Sequence, residues 1–346
     1  MLPRQPPIFG YNDPRPEIMN RFQRPAVIIA RMILFAIVVA LLLGQVRPLP
    51  PGNLVHAGYS AWAVSVRRHF DTGRAGHGWL ALLLAVGVPA ALVLGTDALL
   101  RHWAWPLHIV WQVALLYATL GLGQVSQCLT RIRAALEDDN AADGGESAAA
   151  QELAQWQHGQ HDEAQRVLAR GPVLVQALRH ALLAAHRQVF GVLFWFVALA
   201  LLGLGPLGAV LYRMAAHLGR LQAPASALRH AARRFWYFVD WLPARATALL
   251  FAVVGNFEDA LEGWRFYAAR FANAGGGMHD GVVLAAAAGA LRLRLDDEES
   301  GDADDNSAAA ATPQAGHLRS VAALIWRAMV VCLLLLVLMS LARLTG

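Results

Sequence analysis

Three kinds of side chain in this sequence could do chemistry. They are ionisable groups stranded in apolar runs, histidine–carboxylate neighbours in polar stretches, and arginines set beside aromatic rings. Arg31, Asp97, His108, Gln112 and Arg327 are of the first kind. Polar groups are expensive in hydrocarbon, so they mark internal pairs, pathways or side chains that snorkel to the surface. His108 and Gln112 stand four apart on one helix face, which predicts an interhelical hydrogen bond. Asp97, near the end of its run, is expected to cap the helix or meet water. His69, Asp71 and His77 form one set of the second kind, and His158, His161 and Asp162 another. Zinc takes three or four ligands at fixed geometry. Neither set has such a spacing, and solvated loop residues are the better reading. The third kind is Arg233-Arg234-Phe235-Trp236-Tyr237-Phe238-Val239-Asp240-Trp241-Leu242-Pro243. Guanidinium groups at headgroup depth with rings in the boundary layer make an interfacial element. Asp240, its one acid, is expected to pair with Arg233, Arg234 or Arg245. Further on, Glu258 and Glu262 share a helix face as i and i+4. If they converge with Asp240, His69, Asp71 and Asp97, a polar cavity results. No Walker loop, GxSxG, HExxH or dinucleotide fingerprint is present.

The elements that must position these groups are membrane helices. Of 346 residues, 57 % are hydrophobic and only 15 % charged, against about 25 % charged in an ordinary soluble domain. A bilayer core needs about 20 largely apolar residues. Four stretches reach that length: Ala26 to Gly44, Trp79 to Leu100, Trp105 to Gly123 and Val189 to Tyr212. A fifth, Val321 to Leu341, is broken only by Arg327. Trp79, Trp103, Trp105 and Tyr212 stand at segment ends, where amphipathic rings favour the headgroup layer. Ala246 to Phe257 is about half a span and reads as re-entrant or interfacial. Gln45 to Gly78 reads as a loop. Gln124 to Gln188 reads as amphipathic helix interrupted by the acidic insert at Glu137–Glu146, and Asp296 to Gly316 as an acidic linker. The chain therefore divides at 1–125, 126–188, 189–295, 296–316 and 317–346. The two cysteines, Cys128 and Cys332, cannot form a disulfide framework. All 29 basic residues are arginine, and the net charge is +5. They flank apolar segments rather than gathering on one soluble face, which points to a lipid bilayer and away from nucleic acid. Counting arginines on the two sides gives no orientation.

At Asp240-Trp241-Leu242-Pro243-Ala244-Arg245, followed by Ala246 through Gly255-Asn256-Phe257, the sequence resembles the DWxPxR…ALxGNF stretch of AmpE proteins. These are inner-membrane proteins named as modulators of β-lactamase induction. They share a superfamily with CobD/CbiB, the adenosylcobinamide-phosphate synthase of cobalamin biosynthesis. Phe190-Gly191-Val192-Leu193-Phe194-Trp195-Phe196 through Gly205-Pro206 and Tyr212-Arg213 is similar to the VxFWxxLxGPxxALxYR span of the same proteins. Asn273-Ala274-Gly275 with Ala288-Gly289-Ala290-Leu291 resembles the NAG…AGALxVRL segment of the synthases. The resemblance covers roughly residues 170 to 295.

The departures bear on activity. Where synthases carry an acidic ENLSDG-like motif, this chain has Leu183-Ala184-Ala185-His186-Arg187-Gln188. Where they carry NTLDSMVG, it has Met214-Ala215-Ala216-His217-Leu218-Gly219, and Trp236-Tyr237 replaces a paired Asp-Asp. Synthase chemistry joins an amine to a carboxylate with ATP, and needs magnesium held by carboxylates against phosphate. The expectation is an all-α polytopic membrane protein with four to five spans and amphipathic regions, in the bacterial inner membrane. The resemblance implies an AmpE-like regulatory role in an envelope or β-lactam response, with no catalytic residues, resident metal or cofactor. One alternative is a synthase-like enzyme using Mg and ATP. Another is a scaffold that binds an anionic lipid or phosphorylated small molecule through Arg213, Arg229, Arg233, Arg234 and Arg245, where guanidinium geometry suits the anion. A homo-oligomer stays open.

Overall fold

The computed structural model describes residues 32–47, 54–70, 75–103, 105–137, 144–159, 173–220, 226–275, 277–295 and 311–345. Among them the secondary structure is helical, with one isolated bridge between Leu293 and Ala311 and no strands. In chain order the helices are α1 (Met32–Val46), α2 (Leu54–Phe70), α3 (Ala75–Trp103), α4 (Trp105–Thr119), α5 (Leu122–Leu136) and α6 (Gly144–Gly159). Then come α7 (Val173–Ala185), a π turn (His186–Phe190), α8 (Gly191–Ala200), α9 (Gly205–Gly219) and α10 (Ala227–Val254). The last three are α11 (Phe257–Gly275), α12 (Met278–Leu291) and α13 (His317–Thr345).

Five stretches of the described residues are long and apolar enough to cross a bilayer: Gly76–Trp103, Pro106–Leu136, Val173–Ala200, Ala227–Val254 and His317–Ala342. The protein is all-α and multi-pass. Leu83, Leu92, Val110, Val253 and Leu335 are exposed on these helices. In a water-soluble protein such a display would drive association; here it is the face that lipid covers.

Several boundaries differ from the sequence expectations. The span placed at Val189 to Tyr212 is two helices. Its chain turns over Leu201–Gly203, where Gly203 takes a left-handed φ of 78°, and α9 folds back on α8. The spanning helix begins instead at Val173, because the polar residues His186, Arg187 and Gln188 are buried rather than marking a loop. Ala246 to Phe257 is not re-entrant. Through Val254 it is the last third of the 28-residue helix α10, and α11 begins at Phe257. Gln45 to Gly78 contains α2, whose Ala63 and Val66 are buried one turn apart against Leu82, Leu218 and Leu228. α1 is short of span length, and Ala26 to Arg31 lie outside the described residues. So do Asp71, His161, Asp162, most of the acidic insert and Asp296–Ala310.

The centre is α12, a short alanine-rich helix buried from His279 to Ala288. Small residues let neighbours approach its backbone, the packing mode that membrane bundles favour. Added at Gly263 of α11, a Cβ would meet the Ala285 carbonyl; added at Gly281 of α12, it would meet that of Ala268. Arg292 takes a left-handed φ of 52° to end α12, and its guanidinium pairs with Asp259 of α11. The chain then bridges Leu293 to Ala311 before α13.

Candidate functional site

A buried polar constellation lies where the π turn meets α9 and α10. The π turn inserts one residue into the helical hydrogen-bond ladder, a feature found often at functional sites. Its first residue, His186, is 0 % exposed. His186 Nε2 lies 3.1 Å from Asp240 Oδ1, and Nδ1 lies 2.9 Å from Thr247 Oγ1. Asp240 and Thr247 are seven apart on α10, hence on one face. Tyr212 of α9 donates its hydroxyl to the same Asp240 oxygen at 2.8 Å. Among the described residues, Asp240 Oδ2 is buried without a hydrogen-bond partner. Such an orphan carboxylate oxygen is costly, and invites a proton, a water or a ligand.

Local sequence explains how α10 presents Asp240. Ser226 caps the helix, its hydroxyl accepting the Arg229 N–H at 3.2 Å. Pro243 has no N–H, so the carbonyl four residues earlier, at Val239, loses its helical partner. The Trp195 indole of α8 donates to that carbonyl at 3.0 Å. Two glycines bring the helices close enough. A Cβ at Gly191 would overlap the Tyr212 ring, and one at Gly208 would overlap the Trp195 carbonyl.

The next residues of the π turn extend the polar belt. Arg187 forms a buried ion pair with Asp280 of α12 at 2.5 Å. His279, beside Asp280, places Nε2 2.9 Å from the Tyr237 carbonyl and its ring 4.5 Å from the Tyr237 ring. Gln188 accepts the Gly121 N–H with its backbone carbonyl at 3.2 Å, across the break between α4 and α5. Lower in α7, Arg179 is 1 % exposed and donates to the Leu295 carbonyl.

A second, smaller cluster ties α3 to α4. Arg101 Nη2 donates to Asp97 Oδ2 at 2.6 Å, His108 Nε2 lies 3.0 Å from Asp97 Oδ1, and Gln112 lies 3.2 Å from the same His108 nitrogen. Arg101 also donates to the Gly203 carbonyl, fastening the α8–α9 turn. The expected interhelical bond is made by His108 to Asp97, while Gln112 bonds His108 within α4.

The remaining expected site residues that are described do not converge. Asp240 pairs with none of the three expected arginines, because it faces inward while Arg233 and Arg234 are exposed. Arg245 lies along its own helix, 4.2 Å over the Trp241 ring, and donates to the Trp241 carbonyl. Twelve residues separate Arg233 from Arg245, about 18 Å of helix, too far for one phosphate. Arg229 is half-buried in the first turn of α10, and Arg213 half-buried on α9. Burial, then the nearby Arg220 cation, lower the Arg213 pKa to about 10, so it stays cationic at neutral pH. Glu258 is exposed and Glu262 half-buried on α11. His69 is exposed, its Nδ1 2.8 Å from the Ser65 carbonyl. Asp97 belongs to the α3–α4 cluster, apart from Asp240. Tyr212, expected at the headgroup layer, is 0 % exposed in the core.

Sequence reasoning missed His186, Thr247, Arg187 and Asp280 as partners. The seven-residue spacing of Asp240 and Thr247 is the signal that could have found one of them. Among the described residues no group of three or more His, Cys, Asp and Glu is arranged to hold a metal ion.

The family model for the regulatory signalling modulator protein AmpE matches residues 62–274. That range contains the whole His186–Tyr212–Asp240–Thr247 constellation. A cobalamin biosynthesis protein CobD from Stutzerimonas stutzeri is 28 % identical over 327 residues, covering 88 % of this chain and 97 % of the relative. A protein of the same name from Chromobacterium violaceum is 29 % identical over 265 residues, 74 % of this chain and 79 % of that one. No solved structure matches. With three-fifths of its length under one family model, and with the buried site inside the matched region, the chain belongs to the AmpE family.

Proposed function

We propose that this protein is a regulatory component of the bacterial inner membrane that acts in an envelope or β-lactam response, and not a catalyst. One observation carries the reading. The buried carboxylates of the described residues are Asp97, Asp240 and Asp280, and each is engaged by an internal base: Arg101 and His108, His186, and Arg187. A magnesium–ATP reaction needs carboxylates grouped and open toward phosphate. Asp240 and Asp280 meet adjacent residues of the π turn, while Asp97 lies in the separate α3–α4 cluster. Each is occupied by a base, and no group of three or more His, Cys, Asp and Glu among the described residues is arranged to hold a metal ion.

A second reading is favoured by the extent of the match to the CobD relatives: an amide-forming synthase of cobalamin biosynthesis, with Mg and ATP as cofactors. The scaffold reading gains less support, since Arg213, Arg229, Arg233, Arg234 and Arg245 do not line one surface. Of these five, Arg233 and Arg234 are the exposed ones, which supports no more than contact with anionic headgroups.

Two measurements decide between the readings. Purified protein is given adenosylcobyric acid, aminopropanol phosphate, ATP and magnesium beside an active synthase handled identically, and amide product is followed by mass spectrometry. We expect none; product above the no-protein control overturns the regulatory reading. In a strain lacking the chain, β-lactamase activity after exposure to a β-lactam is expected to differ from the parent, and an unchanged induction curve removes the β-lactam part of the proposal.

A further inference from the structure

The hydrogen bonds around His186 admit two complete proton assignments that differ by one proton. Asp240 Oδ1 accepts from Tyr212 at 2.8 Å and faces His186 Nε2 at 3.1 Å, so as a carboxylate it requires the proton on Nε2. His186 Nδ1 then faces the Thr247 hydroxyl at 2.9 Å, and that hydroxyl also lies 2.9 Å from the Pro243 carbonyl. Thr247 has a single hydroxyl proton. If it points to Nδ1, His186 is neutral. If it points to the Pro243 carbonyl, Nδ1 must carry a proton of its own and His186 is an imidazolium.

We infer that His186 and Asp240 form a proton-binding site in the membrane core, in which uptake of one proton at His186 Nδ1 turns the Thr247 hydroxyl onto the Pro243 carbonyl. The balance is simple. A hydronium ion gives its proton to Nδ1 and leaves water, and the Asp240 carboxylate compensates the imidazolium charge. A threonine hydroxyl bonded to the carbonyl four residues back bends a helix. Pro243 has already weakened α10 at this turn, so the bend falls where the helix yields. Val239, whose carbonyl the Trp195 indole holds, adjoins Asp240, which puts a reporter beside the site.

The other ionisable groups around the site are accounted for. α9 contributes Tyr212, with Arg220 at its C-terminal end. The π turn contributes Arg187, which Asp280 of α12 neutralises, and α12 also brings His279, turned to the Tyr237 carbonyl of α10. Asp240 is therefore the one carboxylate in contact with His186 among the described residues. The inference does not depend on whether the chain regulates or catalyses.

The test uses the full chain with 15N-labelled histidine in detergent micelles, titrated over about pH 5 to 9 around the ordinary histidine range. The His186 signal is identified by its loss in H186Q, or by its displacement in T247V where H186Q fails to fold. We expect Nδ1 of His186 to pass from bare to protonated in one transition, with the Trp195 indole N–H signal moving at the same midpoint. Asp240→Asn removes the compensating charge, and the midpoint is expected to fall by about one pH unit or more, a tenfold weakening of proton affinity. A His186 ring that keeps one protonation state across the range in folded wild-type protein overturns the proposal. So does a midpoint that D240N leaves in place.

Discussion

The Trp195–Val239 hydrogen bond shows how one residue's chemistry creates a role for another. Pro243 strips a carbonyl of its partner, and an indole from the next helix supplies the missing N–H. Trp195→Phe is expected to lower the thermal midpoint, since it leaves the part-buried Val239 carbonyl unpaired, and a fully buried one would cost about 1–3 kcal/mol. Pro243→Ala restores the backbone donor, so W195F should cost distinctly less in that background. A double-mutant cycle on thermal unfolding in detergent measures the difference, and equal costs in both backgrounds would contradict the pairing. The Arg187–Asp280 pair makes a sharper case, because both side chains are only 8 % exposed. Removing one partner leaves an uncompensated buried charge and is expected to cost about 3–5 kcal/mol, whereas an apolar pair of similar volume recovers most of the loss. Expression and thermal midpoint of R187M, D280L and the double variant check this; a double variant no better than the singles would count against it.

At the scale of elements, the α8–α9 hairpin depends on close backbone approach. Gly208→Ala would drive a methyl group into the Trp195 carbonyl, and overpacking of this kind costs about 1–3 kcal/mol. Size-exclusion profiles of G208A should show loss of the monodisperse peak, while Gly95→Ala, whose Cβ meets nothing within 4 Å, should behave as wild type. The hairpin also marks where sequence was legible and where it was not. Hydropathy located α3, α4 and α13, since each apolar run reaches span length with at most one charged residue inside it. It misplaced α7–α8, because His186, Arg187 and Gln188 read as a loop end until their partners on α10 and α12 are known. α10 was split for the same reason: Arg233, Arg234 and Asp240 made its first half look interfacial. α2 was hidden by Arg67, Arg68 and His69. Of the site, Asp240 was visible as an acid among aromatics, but His186 lies 54 residues away in sequence and shares no periodicity with it. Partners fixed by tertiary packing leave no local signature.

For the whole molecule, five stretches of the described residues are long and apolar enough to cross a bilayer, and five crossings would be an odd number. Chain preceding α3 and chain following α13 should then lie on opposite sides of the bilayer. Reporter fusions at Phe70 and at Gly346, one active only in the cytoplasm and one only outside it, are expected to give opposite results. Identical results would mean that one of the five helices does not cross.

The short bridge between Leu293 and Ala311 has a practical reach beyond packing. Paired backbone groups hold Leu293 beside Ala311, so the described residues fix the two points between which any inserted chain would leave and return. The entropy of closing a loop grows only with the logarithm of its length, about 0.6 kcal/mol for each doubling. This point of the chain is therefore a natural port for cargo. A peptide tag or a small folded domain spliced in there would ride on the membrane bundle with little effect on its stability, and would turn the protein into a display platform at a known position.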